Sequence, residues 1–247
     1  MKSDRIYSVP LDRIGDFEFD DAVADVFPDM IRRSVPGYAS MLSMIAQAAE
    51  RFAVPRDSCL RPWLFAGSGH DAVAAARAPG CHVVAVDSSA SMIQRLKDRL
   101  KHDDEVVGEG TAGSLVSVQQ ADIRDVSISD ASLVVLNLTL QFLPPQDRTG
   151  FLKNVADGTR EGGALVLSEK ICFDDPTQQE LMTQLHHDFK RAHGYSDLEI
   201  AQKRTAIENR LIPETIDTHV QRLRDCGYGT VAPWFQCFNF ASILAVK

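Results

Sequence analysis

No apolar stretch in this 247-residue chain approaches the roughly 18 residues that a membrane-spanning helix needs, so no helix is expected to cross a bilayer. Nor does an apolar signal core follow Met1-Lys2-Ser3-Asp4-Arg5, and secretion is not expected. Basic residues are too few to balance the acids: 26 against 34, a formal net charge of −8. Without a strong local basic patch, that sign disfavours tight binding to a nucleic-acid backbone. The five cysteines, Cys59, Cys81, Cys172, Cys226 and Cys237, are odd in number and scattered, and none forms a Cys-x-x-Cys pair. A disulfide framework or zinc knuckle is therefore not expected, and a reducing cytoplasm fits. Internal repeats and low-complexity linkers are also missing. What is present is ordinary for a globular protein: 45% hydrophobic and 24% charged residues, in a chain long enough for a substantial core.

The pattern is helical to about Phe52. Ala22, Val23, Val26 and Phe27 fall at helical spacing and Pro28 is expected to end that run; a second helix follows Pro36-Gly37. Alternation then begins. His82–Asp87 is a short apolar run ending in an acid and reads as a buried parallel strand. Ser89–Leu100 reads as a helix with Ser89 as N-cap. Ser114–Gln119 and Ser132–Leu138 read as strands, Gln146–Ala156 as a helix, and Gly163–Glu169 as a strand after a Gly-Gly turn. Strand–helix alternation implies a doubly wound α/β sheet, mostly parallel, with right-handed crossovers. Thr177–Arg210 then reads as two helices broken near His193-Gly194-Tyr195. Thr215–Asp225 reads as another, and Thr230–Lys247 as an antiparallel hairpin at the sheet edge.

In such a sheet ligands bind beyond the carboxyl ends of the strands, at the switch point. Asp87 closes one strand, where an acid can accept hydrogen bonds from both hydroxyls of an adenosine ribose, and a Gly-rich turn lies about 20 residues before it at Gly67-Ser68-Gly69. Asp122-Ile123 follows the next strand, where an acid and a backbone amide suit an adenine edge. Asn137 closes the one after. Any one acid could equally be a helix cap or a solvated turn. The three together point to adenosine binding, without separating S-adenosylmethionine from NAD. His186-His187-Asp188 looks like a ligand cluster, yet adjacent helical residues point apart, so no metal is expected there. Lys190, Arg191, Lys203, Arg204 and Arg210 read mainly as a solvated helical face; one of them turned into the crevice would bind an anion, because guanidinium pairs bidentately with carboxylate. Phe235 and Phe238 are expected in the core.

Several blocks resemble one family. They are Asp25-Val26-Phe27-Pro28-Asp29-Met30-Ile31 with Arg33-Ser34-Val35-Pro36-Gly37-Tyr38; Val134–Leu143; Gly163–Lys170; His186–Ser196 with Gln202-Lys203-Arg204; and Trp234–Phe240. Together they span nearly the whole chain and resemble the carboxy-S-adenosyl-L-methionine synthases. The resemblance implies a Rossmann-like class I methyltransferase fold over 1–247. It would be one S-adenosylmethionine-binding domain with an N-terminal helical extension (1–52) and a helical insertion (171–212). It implies conversion of S-adenosylmethionine and prephenate to carboxy-S-adenosylmethionine and phenylpyruvate, in a cytoplasmic homodimer without metal, for use by a separate enzyme that modifies the wobble uridine of tRNA. It further implies that Tyr38, Asp87, Ser88, Asp122, Ile123 and Asn137 hold S-adenosylmethionine, and that Arg204 binds the carboxylate being transferred. A sulfonium acidifies its methyl C–H bonds, so a ylide is reachable where water is excluded and charges are fixed. Prephenate releases carbon dioxide and hydroxide as it aromatises. The hydroxide can take the methyl proton and the ylide carbon can capture the carbon dioxide.

One segment departs from the family, which carries Asp-x-Gly-x-x-x-Gly after the first strand. Here the stretch reads Cys59-Leu60-Arg61-Pro62-Trp63-Leu64-Phe65-Ala66-Gly67-Ser68-Gly69-His70. Trp63, Leu64, Phe65 and Gly67 occupy the cofactor-loop positions, with Trp63 where a close-approach glycine is expected. Pro62 is awkward inside a central strand because it removes a ladder donor. Read one base later, the codons of residues 59–70 permit Val-Tyr-Asp-Leu-Gly-Cys-Ser-Leu-Gly-Ala-Ala-Thr, the family's loop. At Trp63, whose codon TGG precedes a leucine codon beginning with C or T, the shifted codon must encode glycine. That pattern is what a pair of compensating frame errors leaves. Two other expectations stand beside the family's activity: an ordinary small-molecule methyltransferase using S-adenosylmethionine and, if the written loop stands, a scaffold that no longer binds S-adenosylmethionine.

Overall fold

The computed structural model describes residues 2–52, 62–66, 82–107 and 116–247, with backbone alone at 62–66 and 103–107. Seven strands make one sheet: β1 (Pro62–Ala66), β2 (His82–Asp87), β3 (Val116–Gln120), β4 (Ala131–Asn137), β5 (Thr159–Lys170), β6 (Thr230–Cys237) and β7 (Phe240–Val246), in the order β3-β2-β1-β4-β5-β7-β6. β1 to β5 run parallel, and β7 pairs antiparallel with both β5 and β6. The mostly parallel, doubly wound sheet with its late hairpin is the one expected. Pro62 causes no break because it is the first residue of β1, where a missing donor is tolerated.

The helices are α1 (Asp21–Ser34), α2 (Tyr38–Phe52), α3 (Ala90–Val107), α4 (Pro145–Gly158), α5 (Pro176–Ala192), α6 (Asp197–Ile207) and α7 (Ile216–Asp225). Because side chains alternate along a strand, β4 feeds two cores. Val134 and Leu136 pack with Leu152 and Val155 of α4 and Leu223 of α7. Leu133 and Val135 pack on the other face with Ile45 of α2 and Leu96 of α3.

Three boundaries differ from those expected. α3 continues to Val107, and β5 begins at Thr159, its register with β4 interrupted by a bulge that includes Gly162 at φ 70°. The largest difference is at Pro28, which lies inside α1. Proline has no N–H to give the carbonyl four residues back, and that carbonyl, on buried Ala24, is filled from another helix: Arg95 Nε of α3 donates to it at 2.6 Å. Arg95→Met is expected to cost about 1–2 kcal/mol by orphaning the carbonyl. In a Pro28→Ala background, where an N–H returns, the cost should largely vanish. A double-mutant cycle read by chemical denaturation checks this, and additive effects would refute it.

Candidate functional site

The carboxyl ends of β2, β4 and β5 open into a cavity of about 880 Å³, closed on the far side by α1, α5 and α6. Tyr38, Asp87, Ser88, Asp122, Ile123, Asn137 and Arg204 all line it. Trp63, Leu64 and Phe65 lie in β1 between β2 and β4, their side chains outside the described atoms, and Gly67 lies outside the described residues.

Tyr38 is delivered by a turn that only glycine allows. Gly37 has φ 75°, and a Cβ there would sit 2.4 Å from the Phe235 ring. Phe235 packs half-buried against the cluster of Val35, Tyr38, Met41 and Phe240, whereas Phe238, expected in the core, lies half-buried in the β6–β7 turn at φ 51° and belongs to no core cluster among the described residues. Asp87 both ends β2 and starts α3: its Oδ1 accepts the Ser89 N–H at 2.8 Å, and Ser89 Oγ accepts from Met92 N at 3.2 Å. Asp122 caps the short turn at Ile123 by accepting from Arg124 N (2.9 Å), and is gripped by Arg124 Nε (3.0 Å) and Nη2 (2.7 Å). Those side-chain bonds hold its carboxyl below the usual range. The capping role and the place at the cavity wall thus coexist.

Asn137 is 6% exposed, and its Oδ1 has no hydrogen-bond partner among the described residues. The next residue, Leu138, has φ 58°, a costly conformation for leucine. Its surroundings hold it: Leu138 N donates to Ser168 O at 2.7 Å, and buried Glu169 accepts the N–H groups of Thr139, Leu140 and Gln141 at 3.2, 2.9 and 3.0 Å. Burial pushes Glu169 up to about 8, against the pull of those three donors and of Arg148. Arg148, fully buried, ties the same turn down from α4 by donating to Leu143 O (3.0 Å), Gln141 O (3.1 Å), Ile212 O (2.8 Å) and Glu214 Oε2 (2.5 Å).

The rest of the lining carries cations. Lys170 ends β5, Lys190 lies in the last turn of α5, and Arg204, exposed yet lining the cavity, lies in the last turn of α6. Among the described residues no carboxylate forms an ion pair with any of the three. Burial and the neighbouring Lys203, Lys170 and Arg204 push Lys190 down to about 7. Burial and Arg204 lower Lys170, and burial with Lys190, Arg204, Arg191 and Lys170 lowers His187.

The reading of these bases as a solvated face needs correction. It holds for Arg191, which pairs with Asp188 and Asp197 at the surface. It fails for Lys203, which is 9% exposed, bonds Ser34 Oγ at 3.2 Å and lies 3.8 Å from the Asp4 carboxylate. His186 is a strut: its Nε2 meets Ser34 O at 2.8 Å and burial pushes it down to about 2.

Sequence reasoning missed the aromatic roof of Phe17, Phe19, Phe27 and Phe142. Phe19 meets Phe17 and Phe142 edge-on at 5.1 and 5.6 Å. It also missed Lys170, although reading the residue after each strand would have found it. The N-terminal segment is stitched to the turn between α5 and α6 and to α6 itself. Asp4 accepts from the Tyr195 hydroxyl, Gln202 Oε1 from Leu11 N (2.7 Å), and Gln202 Nε2 donates to Tyr7 O (3.0 Å) and Val9 O (2.8 Å).

A methyltransferase-domain model matches residues 64–163. Among solved structures, an O-methyltransferase family protein from Burkholderia thailandensis superposes with a TM-score of 0.61 at 17% identity, over 93% of this chain and 60% of that one. Human N-acetylserotonin methyltransferase in complex with SAM superposes with a TM-score of 0.56 at 14% identity, over 98% and 61%. These likenesses speak to the class I methyltransferase fold alone, and this chain spans about 60% of those proteins' length. Curated relatives are nearer. Carboxy-S-adenosyl-L-methionine synthase of Aliivibrio fischeri is 49% identical over 99% of this chain and 98% of its own, and that of Photobacterium profundum is 48% identical over 99% and 98%. With near-full coverage on both sides, the chain belongs to the carboxy-S-adenosyl-L-methionine synthase family, enzymes acting on S-adenosyl-L-methionine.

Proposed function

We propose that this protein makes carboxy-S-adenosyl-L-methionine and phenylpyruvate from S-adenosyl-L-methionine and prephenate. One observation carries the reading: a cavity that has Asp87, Asp122 and Asn137 at successive strand ends is also lined by Lys170, Lys190 and Arg204, without a carboxylate paired to them among the described residues. An ordinary methyltransferase passes a methyl cation equivalent to a nucleophile and creates no new anion; capture of carbon dioxide creates a new carboxylate beside a sulfonium, which a cation of this lining can compensate.

In this reading Tyr38, Asp87, Ser88, Asp122, Ile123 and Asn137 hold the adenosyl substrate, with Trp63, Leu64, Phe65 and Gly67 alongside. The Asn137 oxygen, buried and without a partner among the described residues, is available to a donor the substrate brings. Arg204 compensates the carboxylate as it forms. The aromatic roof keeps water from the reacting carbon, where fixed charges act most strongly. Hydroxide lost from prephenate accepts the methyl proton, so no strong base is asked of the protein. A homodimer in the cytoplasm, supplying a separate tRNA-modifying enzyme, completes the proposal.

Mass spectrometry of the product tests it. Purified protein with both substrates should yield an S-adenosylmethionine heavier by the mass of carbon dioxide, only when prephenate is present. S-adenosylhomocysteine as the product would indicate methyl transfer instead. Absence of S-adenosylmethionine binding in calorimetry would indicate a scaffold disabled by residues 59–70, and resequencing that stretch would then show whether the family's loop lies one base over.

A further inference from the structure

Arg204 can engage one carboxylate bidentately, which leaves the charge on Lys170 and Lys190 uncompensated. The two ammonium groups come from different elements, the end of β5 and the last turn of α5, and line the same cavity as Arg204. The other charged groups around them give no relief. Lys203 is engaged by Asp4 and Ser34, His186 is bonded to the Ser34 carbonyl, and His187 lies in the same positive field. Holding like charges together in a partly dry wall is unfavourable unless an anion arrives. A second observation marks the wall as unfinished. Asn239, 2% exposed and lining the cavity, donates through Nδ2 to His186 Nδ1 at 3.4 Å, while its Oδ1 has no partner among the described residues. Its backbone carbonyl accepts from Ile171 N at 2.8 Å, which sets it beside Lys170.

We infer that Lys170 and Lys190 form a second anion subsite, which seats the carboxylate that the co-substrate keeps while Arg204 takes the one it loses. The protein therefore selects a dicarboxylate. The inference rests on the function proposed above, with the retained group being the keto-acid carboxylate of prephenate. Two fixed anchors orient the molecule so that the carboxyl group to be released lies at Arg204, facing the methyl group, and not at Lys170 and Lys190. A monocarboxylate satisfies one anchor only and binds in either sense. Lys170 and Lys190 are thus specificity-determining residues and take no part in bond making.

The test compares two probes that differ by one carboxylate, benzylmalonate and 3-phenylpropionate, by calorimetry on the full-length protein. The wild type should bind benzylmalonate at least about tenfold more tightly, the worth of one charge-assisted contact. In Lys190→Gln and Lys170→Gln that ratio should fall toward one, and Lys190→Arg should restore it. In turnover the same glutamine variants should raise KM for prephenate by about tenfold with kcat little changed, while the dissociation constant for S-adenosylmethionine stays put and certifies the fold. Equal binding of the two probes by the wild type, or an unchanged ratio in both variants, overturns the inference. Because the probes bind without turnover, an inactive wild type would refute the proposed function and leave this measurement to stand or fall by itself.

Discussion

Arg204→Leu is expected to reduce formation of carboxy-S-adenosylmethionine by about 10³-fold, the scale on which removing a fixed charge-stabilising donor slows reactions. S-adenosylmethionine should still bind within about threefold of the wild type, a change of well under 1 kcal/mol. The residues proposed to hold it lie on β2 and β4, in the turn after β3 and at the start of α2, on elements that Arg204 does not support. Arg204 lies on α6, and it needs no repacking when truncated because it is exposed. Arg204→Lys keeps the charge and loses the planar fork, so its activity should fall between the two. The split between lost turnover and retained binding is the decisive result. Parallel loss of both would mean that Arg204 supports the adenosyl site instead of the transferred carboxylate.

The second large effect concerns stability. Arg148→Met removes a fully buried guanidinium that satisfies three backbone carbonyls and Glu214 at once. Burial alone would raise Glu214, but Arg222 and Arg148 together hold it down at about 2. Breaking a buried pair of this kind costs about 3–5 kcal/mol, and at about 2–4 °C per kcal/mol for a chain of this size the melting temperature should fall by roughly 6–20 °C. Glu214 retains Arg222 at 2.5 and 2.8 Å, so the carboxylate is not itself stranded. The larger share of the loss is the Leu143 and Ile212 carbonyls, since Gln141 O also accepts from Ile212 N at 3.0 Å, and Arg148→Lys should recover only part of it because one ammonium cannot reach them all. Differential scanning calorimetry decides; a shift of less than about 3 °C, under 2 kcal/mol, would show that the turn after β4 is held by Glu169 without Arg148.

How much of this was legible in the chain depends on whether the cause was local. His82–Asp87 was read to the residue because five apolar or half-apolar positions and a terminal acid carry the strand signal within themselves. The α5–α6 break was read because Gly194, at φ 86°, and Ser196, with its capping box to Glu199, are local punctuation. Pro28 misled because its remedy, Arg95, comes from another helix, and no window around the proline contains it. The site divides in the same way. Asp87, Asp122 and Asn137 follow from a rule about strand ends. Which face of α5 and α6 turns toward the crevice does not follow from spacing, and so Lys190 and Lys203 resembled any solvated lysine. The aromatic roof was invisible for a similar reason: nothing near Phe17 or Phe19 says that this stretch will cross the mouth of a sheet built from residues much further along the chain.

The stitching of residues 4–11 to Tyr195 and Gln202 bears on how the molecule is born. The partners are 191 residues apart in both the Asp4–Tyr195 and the Leu11–Gln202 bonds. On a ribosome adding about 5–20 residues per second, the early strap waits roughly 10–40 s before anything exists for it to fasten to. Until α6 has been made, the cavity lacks Lys203 and Arg204 as well as the partners of the strap. Ligand competence is therefore among the last properties the polypeptide acquires during synthesis.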